Sequence, residues 1–326
     1  MPNPLSEGEF YAADALEFEY AELLGFLRNL STDTKNAYSL IEERINLFKV
    51  LTQDIEKKFG QDPLFLARLQ EWFRRDSQDI FFQSNLFRRT RTWPEGYPVD
   101  HTTLEAIYAN EPQGTTQLGK FLDRYFLTRQ IPSGIRSRME KLTQLLNQRD
   151  SQEKGKGNWL SLACGPCREL LKVNESNQRK MWCADYDLST LEYAKELLSQ
   201  TTHKNYVFQK SNALKLASPE RNTAQFGKLT TIYSPGIFDY IEDEALPRLL
   251  SGLYASLAPE GTLITSFFDR NVYDTFDTHW LSRWTSFHQR DKDQALRLLT
   301  GSEIPMTHIS LERDESGTVV FLIAKK

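Results

Sequence analysis

The residues with the clearest chemical promise lie in one run, Trp159-Leu160-Ser161-Leu162-Ala163-Cys164-Gly165-Pro166-Cys167-Arg168-Glu169-Leu170. An apolar strand there enters a tight turn of small residues, and a helix is expected to begin directly after it. Small side chains at Ala163, Cys164, Gly165 and Pro166 let a backbone approach a ligand closely, and a helix N-terminus favours an anionic group. The run has one glycine where dinucleotide loops have three, so a pyrophosphate site is disfavoured. Asp185 follows Gly165 by 20 residues, about the usual interval for an acid that holds a ribose after such a loop. Its carboxylate can accept from both ribose hydroxyls, with Tyr186 flanking the sugar or the base. Asp187 competes for that role, but its place before Leu188-Ser189 suits a helix N-cap better.

Further candidates follow at later strand ends. Asn212, beside Ala213, either meets an adenine amino group or bonds its own backbone in a turn. Ser234 opens the stretch Ser234-Pro235-Gly236-Ile237-Phe238-Asp239-Tyr240. Ligands of open α/β sheets sit beyond the carboxyl ends of the strands. Phe238 and Tyr240 are therefore candidates to touch a substrate, although Phe238 also suits a buried turn.

These positions require a particular scaffold. Short apolar runs at Trp159–Ala163, Lys180–Ala184, Tyr206–Gln209, Leu229–Tyr233 and Thr262–Phe268 alternate with helical segments near Arg168–Asn177, Ser189–Gln200 and Asp243–Leu257. That alternation predicts a doubly wound, mostly parallel sheet with helices on both faces. His308–Arg313 and Thr318–Ala324 are separated only by Asp314-Glu315-Ser316-Gly317, so they must close the sheet as an antiparallel hairpin. Residues 1–150 read as an all-α N-terminal domain. Its helices include Phe18–Leu27, Ile41–Leu51, Pro63–Arg75 and a basic one near Ile135–Leu146, with a polar, aromatic-rich connection over Phe87–Asp100. The polar Ser151–Gly157 segment reads as a linker, leaving 151–326 for the ligand-binding domain.

Bulk properties exclude several classes. Lysine and arginine total 40 against 44 acids, a formal charge of -4, which is no general nucleic-acid footprint. Cys164, Cys167 and Cys183 are the three cysteines, too few and odd in number for a disulfide framework. Cys164 and Cys167 form a C-x-x-C, yet a redox or metal reading needs a second pair or nearby histidines, and no metal is expected. The first thirty residues carry acids rather than a basic, apolar leader, and no apolar run reaches the roughly 18 residues of a membrane span. A cytoplasmic location, a small-molecule partner, no nucleic acid and no integral membrane association are expected. A homodimer is the candidate assembly.

The loop Leu162–Leu170 resembles the S-adenosylmethionine motif of class I methyltransferases. More narrowly, the chain is similar to a bacterial group that includes the quorum-signal synthase of 3-hydroxy fatty acid methyl esters. Trp93-Pro94-Glu95-Gly96-Tyr97-Pro98-Val99-Asp100 resembles that group's Pro-x-Gly-Tyr-x-x-Asp segment, and Gly236–Ile241 its Gly-Leu-Phe-Asp-Tyr-Leu segment. Trp284 and Arg290 lie in a stretch similar to its late Trp…Arg segment. The resemblance spans about residues 80–326 and implies a class I fold, S-adenosyl-L-methionine as cofactor and a small-molecule acceptor. Ala163 and Cys167 depart from it, standing where many methyltransferases have glycine.

Methyl transfer is an in-line displacement, so the protein must align the acceptor and exclude water. A carboxylate acceptor needs no strong base, whereas a hydroxyl or amine does. Tyr97, Asp100, Tyr240 and His288 are the candidate catalytic groups, with His101 a further candidate base. The scarcity of obvious bases favours a carboxylate, such as that of a hydroxy fatty acid, and a carboxylate favours arginine forks. Arg89, Arg91 and Arg290 are the candidates, with Arg136 and Arg138 on the basic helix. The N-terminal helices would then form a substrate cap. Methylation of another metabolite at nitrogen or oxygen, and a non-catalytic cofactor-binding regulator, are the alternatives.

Overall fold

In a computed structural model, which describes residues 6–33, 35–174, 178–203, 205–284 and 286–326, eight helices precede the first strand among the described residues. They are α1 (Glu7–Asn29), α2 (Ala37–Phe59), α3 (Pro63–Asp76), α4 (Gln78–Phe81), α5 (Asn85–Thr92), α6 (His101–Ala109), α7 (Gln117–Leu127) and α8 (Gln130–Glu153). Local sequence explains several starts. Ser6 and Glu9 form a reciprocal capping box on α1. Asp62 caps α3, whose first turn holds Pro63, where a missing N–H costs nothing.

The sheet follows: β1 (Asn158–Leu162), β2 (Lys180–Asp185), α9 (Leu188–Ser199), β3 (Tyr206–Lys210), α10 (Pro219–Phe226), β4 (Leu229–Ser234), α11 (Leu246–Ala255), β5 (Leu257–Phe268), α12 (Lys292–Thr300), β6 (Ile309–Arg313) and β7 (Val319–Lys325). The seven strands lie in the order β3-β2-β1-β4-β5-β7-β6. The first five are parallel; β7 runs antiparallel to β5 and β6 antiparallel to β7. This is the doubly wound, mostly parallel sheet with a closing hairpin that the residue pattern predicts, preceded by helices. Gly317 turns the hairpin at φ +72.

Two predicted elements differ. The segment after β1 is a 3-10 turn over Arg168–Leu171 rather than a helix reaching Asn177, and residues 175–177 lie outside the described residues. Residues 87–92, expected to be irregular, belong to α5. Ser84 caps that helix by accepting from the Phe87 N–H at 3.0 Å.

The chain forms two units. One comprises Met1–Val99, Ala109–Arg129 and Asp274–Thr285; the other comprises Asp100–Tyr108, Gln130–Tyr273 and Ser286–Lys326. These limits differ from a single division at residue 150. Helix α8 belongs with the sheet, because Gly134 lies so close that an added Cβ would stand 2.9 Å from the Phe268 ring. The polar stretch from Ser151 holds the end of α8 and a turn at Lys154-Gly155, where φ is +55 and +73.

The first unit is held by a chain of aromatic rings. Phe48 stacks on Phe73 with centroids 4.9 Å apart, and Phe81, Phe87 and Phe126 continue the series edge to face. Phe276 and Trp280, from the short third segment, close it. In the second unit, Leu160, Leu162, Ile232, Leu263 and Phe267 of the sheet share a core with Leu246, Leu249, Leu250 and Leu253 of α11. Each such side chain, fully buried, contributes about 1.5–3 kcal/mol. Gly252 lets α11 approach the 3-10 turn at Ala213–Ala217; a Cβ there would lie 2.4 Å from the Ala217 carbonyl oxygen.

Candidate functional site

The loop after β1 has an unusual backbone. Ala163, Gly165 and Cys167 take φ of +48, +55 and +55. Only glycine adopts that region without steric cost. The two places where this sequence departs from glycine are therefore places where the turn itself favours glycine. The loop is pinned at both ends: the Cys164 N–H donates to the Ala184 carbonyl at 3.1 Å, and that of Cys167 to Cys164 at 3.3 Å.

Asp185 organises the opening. Its two carboxylate oxygens accept from the Gly165 N–H at 3.0 Å and the Asp187 N–H at 3.1 Å. Burial raises its pKa above the ordinary value, and the backbone donors oppose that rise. Asp187 is the N-cap of α9, accepting from the Ser189 N–H at 2.9 Å and the Thr190 hydroxyl at 2.9 Å. Tyr186 is 68% exposed, with the Lys210 ammonium 5.3 Å from its ring centroid. Asn212 caps the 3-10 turn that begins at buried Ala213, its side chain accepting from the Leu214 N–H at 3.0 Å. Of its two candidate roles, the turn role is thus present.

Pro166 is buried, as are the three thiols, all free. A hydrogen bond to Cys167, together with burial, pushes the Cys164 thiol well up. Neutral, buried thiols are inert. Among the described residues no group of three or more histidine, cysteine or acidic side chains could hold a metal ion.

Four assignments need correction. The Ser234 hydroxyl donates to the Leu162 carbonyl at 2.5 Å, tying β4 to β1, so it is not directed at a ligand. Phe238 is 1% exposed and stacks on Phe267 at 5.2 Å. Arg290 clasps the turn after β4: it donates to the Phe238 carbonyl at 2.8 Å, to Ile241 at 2.5 Å and to Asp243 at 2.8 Å. Arg91 is buried within the first unit, donating to Leu281 O at 2.7 Å, Arg74 O at 3.1 Å and the Ser77 hydroxyl at 3.0 Å. Its guanidinium lies 4.4 Å from the Phe81 ring centroid. These arginines hold buried backbone carbonyls, which need donors, and so have structural roles.

The remaining candidates divide between the units. Arg89, half-buried on α5, and Tyr97, 36% exposed, belong to the first. Asp100 belongs to the second, where it is buried and caps α6 by accepting from the Thr103 N–H at 2.7 Å. Tyr240 packs its ring 5.9 Å from Phe287. The His288 imidazole stands 3.5 Å from Glu242, and its backbone N–H holds the Asp239 carbonyl at 2.7 Å. His101 bonds Thr190 at 3.1 Å.

Two acids stand out that residue spacing does not single out. Glu169, placed by the 3-10 turn, accepts from the Tyr233 hydroxyl at 2.9 Å, and burial raises its pKa to about 7. Asp239, 1% exposed, is likewise raised by burial to about 7. Both feel the charge of Arg138 on α8, which lowers each pKa without offsetting burial. In the sequence, Asp239 is visible only as part of the Phe-Asp-Tyr segment, and Glu169 only as an acid in a first turn.

Strand order, hairpin and loop together define the class I methyltransferase type of fold. The family model described as "Putative methyltransferase" matches residues 95–267, more than half of the chain, and the chain belongs to that methyltransferase family. It is 26% identical over 170 residues to the uncharacterized protein YnbC of Escherichia coli (strain K12), covering 50% of this chain and 28% of that protein. The chain thus spans under a third of the length of that curated relative. Among solved structures, a possible exported protein from Bordetella parapertussis is similar across 99% of both chains, with a TM-score of 0.56 and 16% identity. Magnesium protoporphyrin IX methyltransferase from Synechocystis PCC 6803 with bound SAH is similar over 60% of this chain and 87% of that one, with a TM-score of 0.44 and 12% identity. Among the described residues no helix is long and apolar enough to cross a membrane.

Proposed function

We propose that the second unit binds S-adenosylmethionine at the carboxyl ends of β1, β2 and β3 and directs methyl transfer to a small-molecule acceptor. One observation carries this reading. The Gly165 N–H in the left-handed turn after β1 is held by Asp185 at the end of β2, which fixes a bare backbone edge beside a buried carboxylate. Ala163, Cys164 and Gly165 offer backbone to the nucleoside, and Asp185 retains lone pairs for ribose hydroxyls. Asn212 and Ala213 lie at the adenine end and Tyr186 alongside. Bound there, S-adenosylmethionine supplies a methyl group on a positively charged sulfur, already activated for displacement.

The finer reading is an acceptor carboxylate, such as that of a hydroxy fatty acid, converted to a methyl ester as in the quorum-signal synthase group. It is supported by the Gly-Tyr and Phe-Asp-Tyr segments. It is also supported by the scarcity of candidate bases, His101 being engaged by Thr190 at 3.1 Å.

Calorimetry with S-adenosylmethionine and S-adenosylhomocysteine tests the cofactor site. Wild type should bind both, and Asp185→Ala should weaken each by about 1–3 kcal/mol, the cost of leaving buried hydroxyls without their acceptor. No binding by wild type at millimolar ligand would reject the enzyme reading in favour of a protein with another role. Unchanged affinity in Asp185→Ala would reject the ribose assignment.

A further inference from the structure

Most of the buried arginines have their charge met. Arg290 has Asp243, Arg179 has Asp150 and Arg74 has Glu71. Two do not: Arg91, whose donors go to Leu281 O, Arg74 O and the Ser77 hydroxyl, and Arg138 on α8, which has a single protein acceptor. Arg138 is 9% exposed, and its Nη1 donates to the Pro235 carbonyl at 3.0 Å. Its guanidinium lies 5.3 Å from the Phe268 ring centroid. Among the described residues, no carboxylate lies within ion-pair distance of it, and its Nη2 makes no hydrogen bond. A buried cation without a counter-ion is costly, and such sites are normally completed by a partner.

The surroundings are open in the chemical sense. Gly236 presents bare backbone to the guanidinium: an added Cβ would stand 3.7 and 3.8 Å from the two terminal nitrogens. Tyr108 on α6 is near enough to feel the Arg138 charge, and its hydroxyl has no hydrogen-bond partner among the described residues. Burial pushes that phenol up to about 12, so at neutral pH it remains a donor. Among the described residues, the buried Oδ1 of Asp239 also has no partner. Asp239 and Glu169 both feel the Arg138 charge, but neither forms an ion pair with it among the described residues.

We infer that Arg138 receives the carboxylate of a bound small molecule at the carboxyl end of β4. The guanidinium fork fits a carboxylate. This deepens the methyl-transfer reading and rests on it. Two sources share the chemistry: the amino-acid end of the cofactor and the acid group of the acceptor.

Paired ligands that differ in the carboxylate separate the two. On the full chain, calorimetry compares S-adenosylhomocysteine with 5′-methylthioadenosine, which lacks the carboxylate, and octanoate with octan-1-ol. If the cofactor supplies the group, Arg138→Gln loses tenfold or more for S-adenosylhomocysteine and less than twofold for 5′-methylthioadenosine, with Arg138→Lys between. If the acceptor supplies it, the nucleosides are unaffected and only octanoate loses tenfold. Equal effects within both pairs, or no effect in either, would overturn the inference, because a merely structural arginine cannot discriminate a carboxylate. If wild type binds neither nucleoside, the cofactor reading falls by itself. The octanoate pair then decides: selective loss of octanoate upholds the receptor, and equal behaviour overturns it.

Discussion

Glu169 offers a quantitative test of the buried charge arrangement. Its ordinary pKa is 4.5, and in the folded chain burial raises it to about 7. Between those values the folded state holds a proton that the unfolded state has released, so stability must fall as pH rises through that window. Below 4.5 the penalty is absent, and above about 7 it is complete and constant. At about 1.4 kcal/mol per pH unit, the interval corresponds to roughly 3 kcal/mol. Glu169→Gln removes the ionisation while keeping an oxygen to accept from the Tyr233 hydroxyl, which lies 2.9 Å away. The variant should exceed wild type by less than about 1 kcal/mol near pH 5 and by about 3 kcal/mol near pH 8. Urea unfolding of both proteins at about pH 5, 6, 7 and 8 measures this. The difference between the two curves isolates Glu169 from Asp239 and Asp277, which are raised in the same direction. A difference that stays constant across the series would refute the account of a neutral, buried Glu169.

Other substitutions test the packing. Gly252→Ala gains about 1 kcal/mol of helix propensity. It also drives a methyl into backbone atoms of Ala217 that cannot move aside as a side chain would. A net loss of about 1–3 kcal/mol is expected; a rise in Tm would contradict the close approach. Arg91→Lys replaces a three-way fork by a single ammonium and should cost about 2–4 kcal/mol by leaving buried acceptors unmet. Its affinity for S-adenosylhomocysteine should stay within twofold; a large selective loss of binding with unchanged Tm would restore Arg91 as a ligand contact.

The sheet is legible in the sequence because buried parallel strands read as apolar runs. The closing hairpin follows from the four residues between its strands, which leave no room for a helix. The place of Asp185 at the end of β2 is readable from its interval after Gly165. Helix α5 is not, because Asn85-Leu86-Phe87-Arg88-Arg89-Thr90-Arg91-Thr92 is rich in charge and hydroxyls; the overlooked signal is Ser84 as a cap. Arg91, Arg290 and Phe238 mislead for a shared reason. Charge and aromaticity are visible in a sequence, but the groups that engage them are not. The carbonyls that hold Arg91 belong to Leu281 and Arg74, 190 and 17 residues away, and those holding Arg290 belong to Phe238 and Ile241, 52 and 49 residues away. Arg138 shows the converse, since its lack of an ion-pair partner among the described residues cannot be read from a sequence at all.

The third segment of the first unit bears on how the chain is made. Phe276 and Trp280 complete its aromatic core, and Glu56 binds the Trp280 indole at 2.8 Å and the His279 ring at 2.9 Å. Trp280 leaves the ribosome 224 positions after the Glu56 it bonds. The amino-terminal helices therefore emerge with a core they cannot finish, and vectorial folding, with the first-made part maturing first, is closed to this chain. Until the segment after β5 has been synthesised through Trp280, Phe48 and Phe73 lack their last neighbours. A fragment ending near residue 150 would be a nascent-chain intermediate rather than a domain, exposing the surface that Phe276 and Trp280 cover.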